Sequence, residues 1–269
     1  ATDMTDPFQN VDAAGPEFIK IFADTMEIRQ SDPTMEALVA GYLSRLDFAK
    51  DSLTVEIGAG AGAVTRRIAK HAAPAQVIGY EPSAGFVKEA RARAPNFDNL
   101  RFEQADGATL PVADNSVDNA ILHTVLTHVV APETLLAEAA RALRTGGWLV
   151  VADVDFSKAA LASAANDPLD CCAKEFVRTY VTDPHLVGRL RGLIADAGLR
   201  LDHFDVQSRV IITEAQMLPW VEITTRDMVT RGLIGQGLAD ALIAEHAQRA
   251  ADGRLYGYQA IATAIAQKI

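Results

Sequence analysis

The spacing of apolar and polar positions changes twice along the chain. Up to about residue 50, apolar residues recur every three or four positions, and "PEFIKIFADTMEIRQ" and "DPTMEALVAGYLSRLDFA" read as helices. The second has Ser31 or Asp32 as its cap and Pro33 in its first turn, with Leu38, Tyr42, Leu43 and Leu46 on one face. From 52 to about 155, short apolar runs alternate with amphipathic stretches. "LTVEIG", "QVIGYE", "LRFEQAD", "VDNAILHT" and "GGWLVVADV" read as strands. "AVTRRIAKHAA", "SAGFVKEARARA" and "PETLLAEAARAL" read as helices between them. That order predicts an α/β fold: a doubly wound, mostly parallel sheet with helices on both faces.

The third part, from 156, is less regular. "DPHLVGRLRGLIADAGL" reads as a helix ended by Gly198, and "RLDHFDVQSRVII" as a strand. Helical stretches follow around 214–231 and 236–251, and "RLYGYQAIATAIAQK" closes the chain as a long strand. The expected organisation is an N-terminal helical cap (1–50), a cofactor domain (51–210), a helical lid insert (211–253) and the last strand of the cofactor domain (254–269).

At 269 residues, one large domain with an elaborated lid suffices, and a core of this size needs no cross-links. A formal net charge of −10 argues against a nucleic-acid-coating surface. Cys171 and Cys172 are adjacent, which disfavours a disulfide between them, and no zinc-ligand spacing surrounds them. No metal-binding set stands out. The first residues, "ATDMTDPFQN", have neither an apolar signal core nor a basic transit pattern, and no apolar run approaches a membrane span. The expectation is a cytoplasmic protein with no membrane or nucleic-acid partner; a homodimer is allowed.

In doubly wound sheets ligands bind beyond the carboxyl ends of the strands, so those residues are where chemistry is expected. Gly58, Gly60 and Gly62 follow a strand and precede a helix, where glycines permit a tight turn and close approach of a ligand to the helix N-terminus. "GAGAGA" can be read as G-x-G-x-x-A (Gly58, Gly60, Ala63), a dinucleotide fingerprint, or as E-x-G-x-G-x-G starting at Glu56, a pattern used for S-adenosylmethionine. Glu81, ending the second strand, offers two acceptor oxygens to a ribose and would repel a 2′-phosphate. The loop and Glu81 fit both NAD and S-adenosylmethionine.

Downstream come Asp106 after the third strand, "LPVADNSVD" before the fourth and "ALRTGGWLVVADV" entering the fifth. With these, Leu53 to Val154 resembles the class I S-adenosylmethionine-dependent methyltransferases, in the small-molecule branch that includes the ubiquinone and menaquinone biosynthesis enzymes. The resemblance implies a Rossmann-like sheet of seven strands and S-adenosylmethionine as cofactor. It implies that Glu56, Gly58, Ala59 and Gly60 hold the methionine part, with Glu56 near its ammonium. Glu81 would bind the ribose, Pro82 and Ser83 would lie beside the adenine, and Asp106 and Gly107 would meet its amino group. His123 would lie against the methionine moiety, and Arg29 would pair with the cofactor carboxylate. Thr145 replaces the more usual proline before the glycine pair.

Methyl transfer from a sulfonium needs in-line alignment of a small-molecule acceptor and, for a hydroxyl or amine, removal of a proton. His123 and His128 follow the fourth strand and are the expected bases, since histidine titrates near neutrality. Asp153 and Asp155 could orient the acceptor; His185 and His203 read as structural. Phe18, Phe22, Met26, Tyr180, Met217, Trp220 and Met228 suggest an apolar, aromatic or polyketide-like acceptor. There is neither an N-P-P-Y or D-P-P-Y run nor a Pro-Cys pair of the kind DNA methyltransferases use. Two other functions stay open: an S-adenosylmethionine-binding protein without transfer (scaffold, sensor or co-opted fold), and an NAD-dependent oxidoreductase.

Overall fold

The computed structural model describes residues 6–216 and 219–269. A 3₁₀ turn at Pro7–Asn10 leads into helices α1 (Val11–Ala14), α2 (Pro16–Gln30) and α3 (Pro33–Leu43). The alternating part follows as β1 (Leu53–Ile57), α4 (Ala63–Ala72), β2 (Gln76–Glu81), α5 (Ala84–Ala92), β3 (Leu100–Gln104) and β4 (Val117–His123). Then come α6 (Pro132–Ala142), β5 (Leu143–Ala160), α7 (Asp170–Tyr180), α8 (Leu186–Asp196) and β6 (Leu199–Ile211). A π-helical turn at Pro219–Ile223, α9 (Thr224–Thr230), α10 (Gln236–Ala251) and β7 (Gly257–Lys268) complete the chain.

The strands form one sheet of seven in the order β3-β2-β1-β4-β5-β7-β6. β1 to β5 pair in parallel and β7 runs antiparallel between β5 and β6. The order reverses beside β1, which opens the crevice expected of such a sheet. β4 is buried at nearly every position, because a central parallel strand is covered on both faces. One core layer joins Leu38, Tyr42, Ile68 and Phe86 to the sheet; the other joins Leu136, Leu190 and Ile194 to Val55, Ile57 and Leu122.

The predicted helix starts follow from local chemistry. The Asp32 side chain accepts from the Thr34 N–H, and Pro33 occupies the first turn of α3, where no amide hydrogen is needed. Three features differ from the sequence pattern. β5 runs well past Val154 because β7 pairs along it as far as Asp155↔Ala260 and again at Ala160↔Tyr258. α7 was not expected, although Cys172, Phe176, Thr179 and Tyr180 form a buried stripe at helical spacing. The stretch around 214–231 is broken into 3₁₀, π and α turns instead of one helix. Met217, expected to line a pocket, lies outside the described residues. Both cysteines are free thiols. Among the described residues, no helix is long and apolar enough to cross a membrane.

Gly62 starts α4 with φ +78°, and a Cβ there would sit 2.5 Å from Phe102 Cζ. Gly62→Ala combines left-handed strain with a clash and should destabilise the fold by about 2–3 kcal/mol. Thermal unfolding should register a midpoint lower by roughly 4–10 °C; no shift would mean that the loop relaxes freely.

Candidate active site

β1 delivers the chain into the glycine loop at the carboxyl edge of the sheet. The Gly58 and Ala59 N–H groups both donate to the Tyr80 carbonyl, at 2.8 and 3.0 Å, tying the loop to β2. Glu81 tightens this tie: its Oε2 accepts from the Gly60 N–H (2.9 Å) and its Oε1 from the Ser83 N–H (3.0 Å). Each carboxylate oxygen keeps a further lone pair. Gly58 has φ +76°, and a Cβ there would come within 2.6 Å of Val125, so this position requires glycine.

Above the loop lies a cleft of about 420 Å³, lined by Gly58, Gly60, Glu81, Pro82, Asp106 and Gly107, with Val125 and His128 also on its wall. Of these, Glu81, Pro82, Asp106 and Gly107 are positions assigned to the ribose and adenine, and Gly58 and Gly60 positions assigned to the methionine part. Ser83 is the exception, since it does not line the cleft. Its hydroxyl caps α5 by accepting from Phe86 N–H and donates to Asp12 Oδ1 (2.6 Å).

A smaller cavity of about 50 Å³ lies beside the loop, lined by Arg29, Glu56, Ala59, Gly60, His123 and Thr124 among others. Three buried polar atoms in it have no partner among the described residues: Glu56 Oε2, Arg29 Nε and His123 Nε2. Unpartnered buried groups are costly, and a carboxyl and a guanidinium left so in one cavity leave it open to a ligand that satisfies both. Arg29 Nη2 donates to Thr124 Oγ1 (3.0 Å). Burial, then the charge of Arg209, lowers the Arg29 pKa to about 10, which leaves it a cation at neutral pH. Burial raises Glu56 to about 8 and Glu81 to about 7.

His123 was expected as one of two bases. Burial and the nearby Arg29 push its pKa down to about 3, and its Nδ1 faces the Tyr42 hydroxyl at 3.3 Å. So weak a base, in the loop cavity and outside the cleft, is unsuited to take a proton at neutral pH.

His128 sits differently, on the wall shared by the cleft and a third, aromatic pocket of about 100 Å³. Its Nδ1 lies 2.8 Å from Asp6 Oδ2. A carboxylate only accepts, so Nδ1 carries the hydrogen and neutral His128 leaves Nε2 as acceptor. Asp6 is held in turn by the Phe8 N–H and the Thr182 hydroxyl. Asp153, expected to orient an acceptor, is fully buried away from the pocket. Its oxygens accept from the Thr127 hydroxyl and N–H and from the Val154 N–H, which fixes the turn carrying His128. Asp155 accepts from the Ser157 N–H and hydroxyl and does not line the pocket either.

The aromatic pocket contains Phe22, Met26 and Trp220 as expected, together with Phe8, Phe156 and Phe176. Phe18 and Tyr180 stand behind it, Phe18 tilted against Phe22 and Tyr180 stacked on Phe176, and Met228 is buried without lining it. His185 and His203 lie outside all three cavities. Several lining or positioning residues were not anticipated. Phe8, Gln9 and Val11 cover the cleft from the N-terminal segment, Asp6 holds His128 behind it, and Asp12 bonds Ser83, Ala84 and Gly85. Thr124 borders all three cavities, at φ +55°, a strained conformation for a β-branched residue. Arg209 and Gln259 approach from β6 and β7.

A doubly wound sheet with a glycine loop, a buried acid on the second strand and a cleft at the switch point defines a nucleotide-cofactor domain. Comparison with known proteins narrows this: residues 55–151 match the methyltransferase domain family. By that match residues 55–151 form a methyltransferase domain, and the fold resembles that of a methyltransferase solved with S-adenosyl-L-methionine. It is 35% identical over 162 residues to an uncharacterised 37.1 kDa protein in transposon TN4556 of Streptomyces fradiae, covering 58% of this chain and 46% of that one. It is 35% identical over 99 residues to the demethylmenaquinone methyltransferase of Tropheryma whipplei, covering 37% and 40%. The chain thus spans about half the length, or less, of these relatives. The phosphoethanolamine N-methyltransferase 2 of Haemonchus contortus, solved with S-adenosyl-L-methionine, superposes with a TM-score of 0.59. That likeness, at 14% identity, covers all of this chain and 60% of the other.

The raised carboxyls make stability depend on pH. A carboxyl whose folded pKa exceeds its ordinary 4.5 stabilises the fold fully below that value, and the contribution is lost as pH rises through 7 to 8. The ligand-free protein should therefore lose unfolding free energy between about pH 5 and pH 8, and Glu56→Gln should flatten the decline. At pH 9 that variant should be more stable than the wild type by on the order of 1–3 kcal/mol. Parallel pH profiles for the two proteins, by chemical denaturation, would contradict this.

Proposed function

We propose that this protein transfers the methyl group of S-adenosylmethionine to an oxygen of a small, apolar or aromatic metabolite, with His128 as general base. The observation that carries the reading is the cavity where Glu56 Oε2 and Arg29 Nε lie buried without partners. The α-amino acid end of S-adenosylmethionine brings an ammonium for the first and a carboxylate for the second. NAD carries no such zwitterion, and its pyrophosphate would meet the Glu56 carboxyl beside the loop. Glu81 would take the ribose hydroxyls on its remaining lone pairs, and Asp106 and Gly107 the adenine edge. Demethylmenaquinone methyltransferase among the relatives supports a small-molecule acceptor.

The bound cofactor supplies an activated methyl on sulfur, open to in-line displacement. The chain does the rest. The aromatic pocket holds the acceptor beside the cleft and keeps water out, which accounts for most of the acceleration. His128 Nε2 takes the hydroxyl proton as the oxygen–carbon bond forms, and Asp6 holds the ring in the required tautomer. Residues 1–50 and 211–253 act as cap and lid over the domain formed by 51–210 and 254–269.

Calorimetric titration tests the cofactor: S-adenosylhomocysteine should bind and NADH should not, and the reverse would overturn the assignment. His128→Ala should lower kcat by about 10²–10⁴-fold, with S-adenosylhomocysteine affinity kept. Asp6→Asn should cost roughly ten- to a hundredfold by mispositioning the imidazole. Unchanged rates in both variants would eliminate the base, and binding without any turnover across acceptors would favour a non-catalytic binding protein.

A further inference from the structure

We propose that the methyl acceptor is a single-ring aromatic acid bearing a hydroxyl, its carboxylate anchored by Arg209 and Gln259. This deepens the methyltransferase reading and rests on it.

The aromatic pocket is electrostatically one-sided. In a chain with 35 acidic and 25 basic residues, no carboxylate lines this pocket among the described residues, while two guanidinium groups do, Arg29 and Arg209. Arg29 also borders the loop cavity and is accounted for there by the cofactor carboxylate. Arg209 is not. It is 2% exposed, on β6 between the exposed Ser208 and Val210, so strand alternation turns it inward. Its Nε meets Asp32 Oδ2 at 3.3 Å, Nη2 reaches the Gln216 carbonyl at 3.4 Å, and Nη1 donates to Gln259 Oε1 at 2.9 Å. Asp32 is shared with the Gln216 amide (2.7 Å) and the Thr34 N–H (2.9 Å), so it offsets Arg209 only in part.

Because Gln259 Oε1 accepts from Arg209, the remaining polar group of Gln259 is its NH₂, which donates to no residue among those described. The pocket therefore offers a guanidinium and an amide, both donors, to whatever fills it. A carboxylate is acceptor-only and matches both donors, whereas a neutral amide brings one acceptor oxygen and an NH₂ that would face a donor, and a cation brings no acceptor at all. The apolar remainder of the ligand is bounded by Phe176 and Trp220, stacked at 5.5 Å with 21° between ring planes, together with Phe22 and Phe156. At about 100 Å³ the pocket is smaller than the roughly 150 Å³ cavity that holds benzene, so it excludes anything larger than one ring, and the ring's substituents must reach its walls and the adjoining cleft. His128 lines the same pocket and receives the proton of the ring hydroxyl. The oxygen–methyl bond forms as the sulfur–methyl bond breaks, and the sulfonium becomes a neutral thioether.

The test compares 2-, 3- and 4-hydroxybenzoate with the matching hydroxybenzamides as acceptors for the wild-type protein with S-adenosylmethionine. At least one acid should be methylated on its hydroxyl, with kcat/KM at least roughly tenfold above its amide. Gln259→Glu, which places a carboxylate in the pocket, should raise KM for that acid at least roughly tenfold and leave S-adenosylhomocysteine binding unchanged. Gln259→Leu should weaken the acid less. Equal or better use of the amides, methylation on the carboxylate, an unchanged KM in Gln259→Glu, or no turnover of any acid by protein that binds S-adenosylhomocysteine would each overturn the proposal. Failure to bind S-adenosylhomocysteine would instead overturn the methyltransferase reading beneath it.

Discussion

The buried Glu81 carboxylate, gripped by the Gly60 and Ser83 amides, is the contact from which the rest of the site is built. It joins the loop after β1 to the turn after β2, and so sets the distance across the switch point of the sheet. With the Tyr80 carbonyl holding Gly58 and Ala59, the loop has little freedom left. Such rigidity has a cost, because the carboxyl is taken out of water, and burial raises its pKa to about 7. A ligand that donates hydroxyls to it would recover part of what desolvation removed.

The same trade recurs at two further places. Glu56, Arg29 and His123 are sealed in one cavity with atoms that no protein group satisfies, and the Arg209–Gln259 pair presents only donors to the aromatic pocket. Arg209 already meets Asp32, whereas a fold optimised for stability alone would pair or remove the Glu56, Arg29 and His123 atoms, which have no partner among the described residues. Their persistence in mutually adjoining cavities is an argument for binding, with the cavities sharing walls at Thr124, Met26 and His128. Elsewhere the charges are paired, as in Arg249 with Asp167 and Glu245, or Arg231 with Glu175 and Asp227. Pairs of that kind contribute to packing and carry no chemistry.

The N-terminal segment links the cleft and the aromatic pocket. Asp12 sits on the turn beside Glu81, while Asp6 orients the histidine that borders the aromatic pocket. Both carboxylates belong to one stretch of nine residues, from Asp6 to Ala14, laid across the cleft. Phe8 packs edge-on against Phe22 and near His128, at centroid distances of 4.8 and 4.7 Å, so aromatic contact keeps that stretch in place.

Local pattern determined a good deal. The strand–helix alternation from 52 to 155, the glycine loop and its acids, and the start of α3 at Asp32–Pro33 all follow from neighbours a few residues apart. Helical and strand periods, caps and left-handed turns are properties of short segments, which is why they could be read directly. The extension of β5 could not be, because it depends on pairing with β7, about a hundred residues later. Nor could the pairing of His128 with Asp6, the demotion of His123 by burial next to Arg29, the diversion of Ser83 to a cap, or the meeting of Arg209 with Gln259. Histidine in "LTHVV" looks the same whether a carboxylate or an arginine stands opposite. Sequence chose the cofactor class, since that rests on a contiguous loop and strand ends. Tertiary structure decided which side chains could carry a proton or an anion, because burial and partners across the fold set those properties.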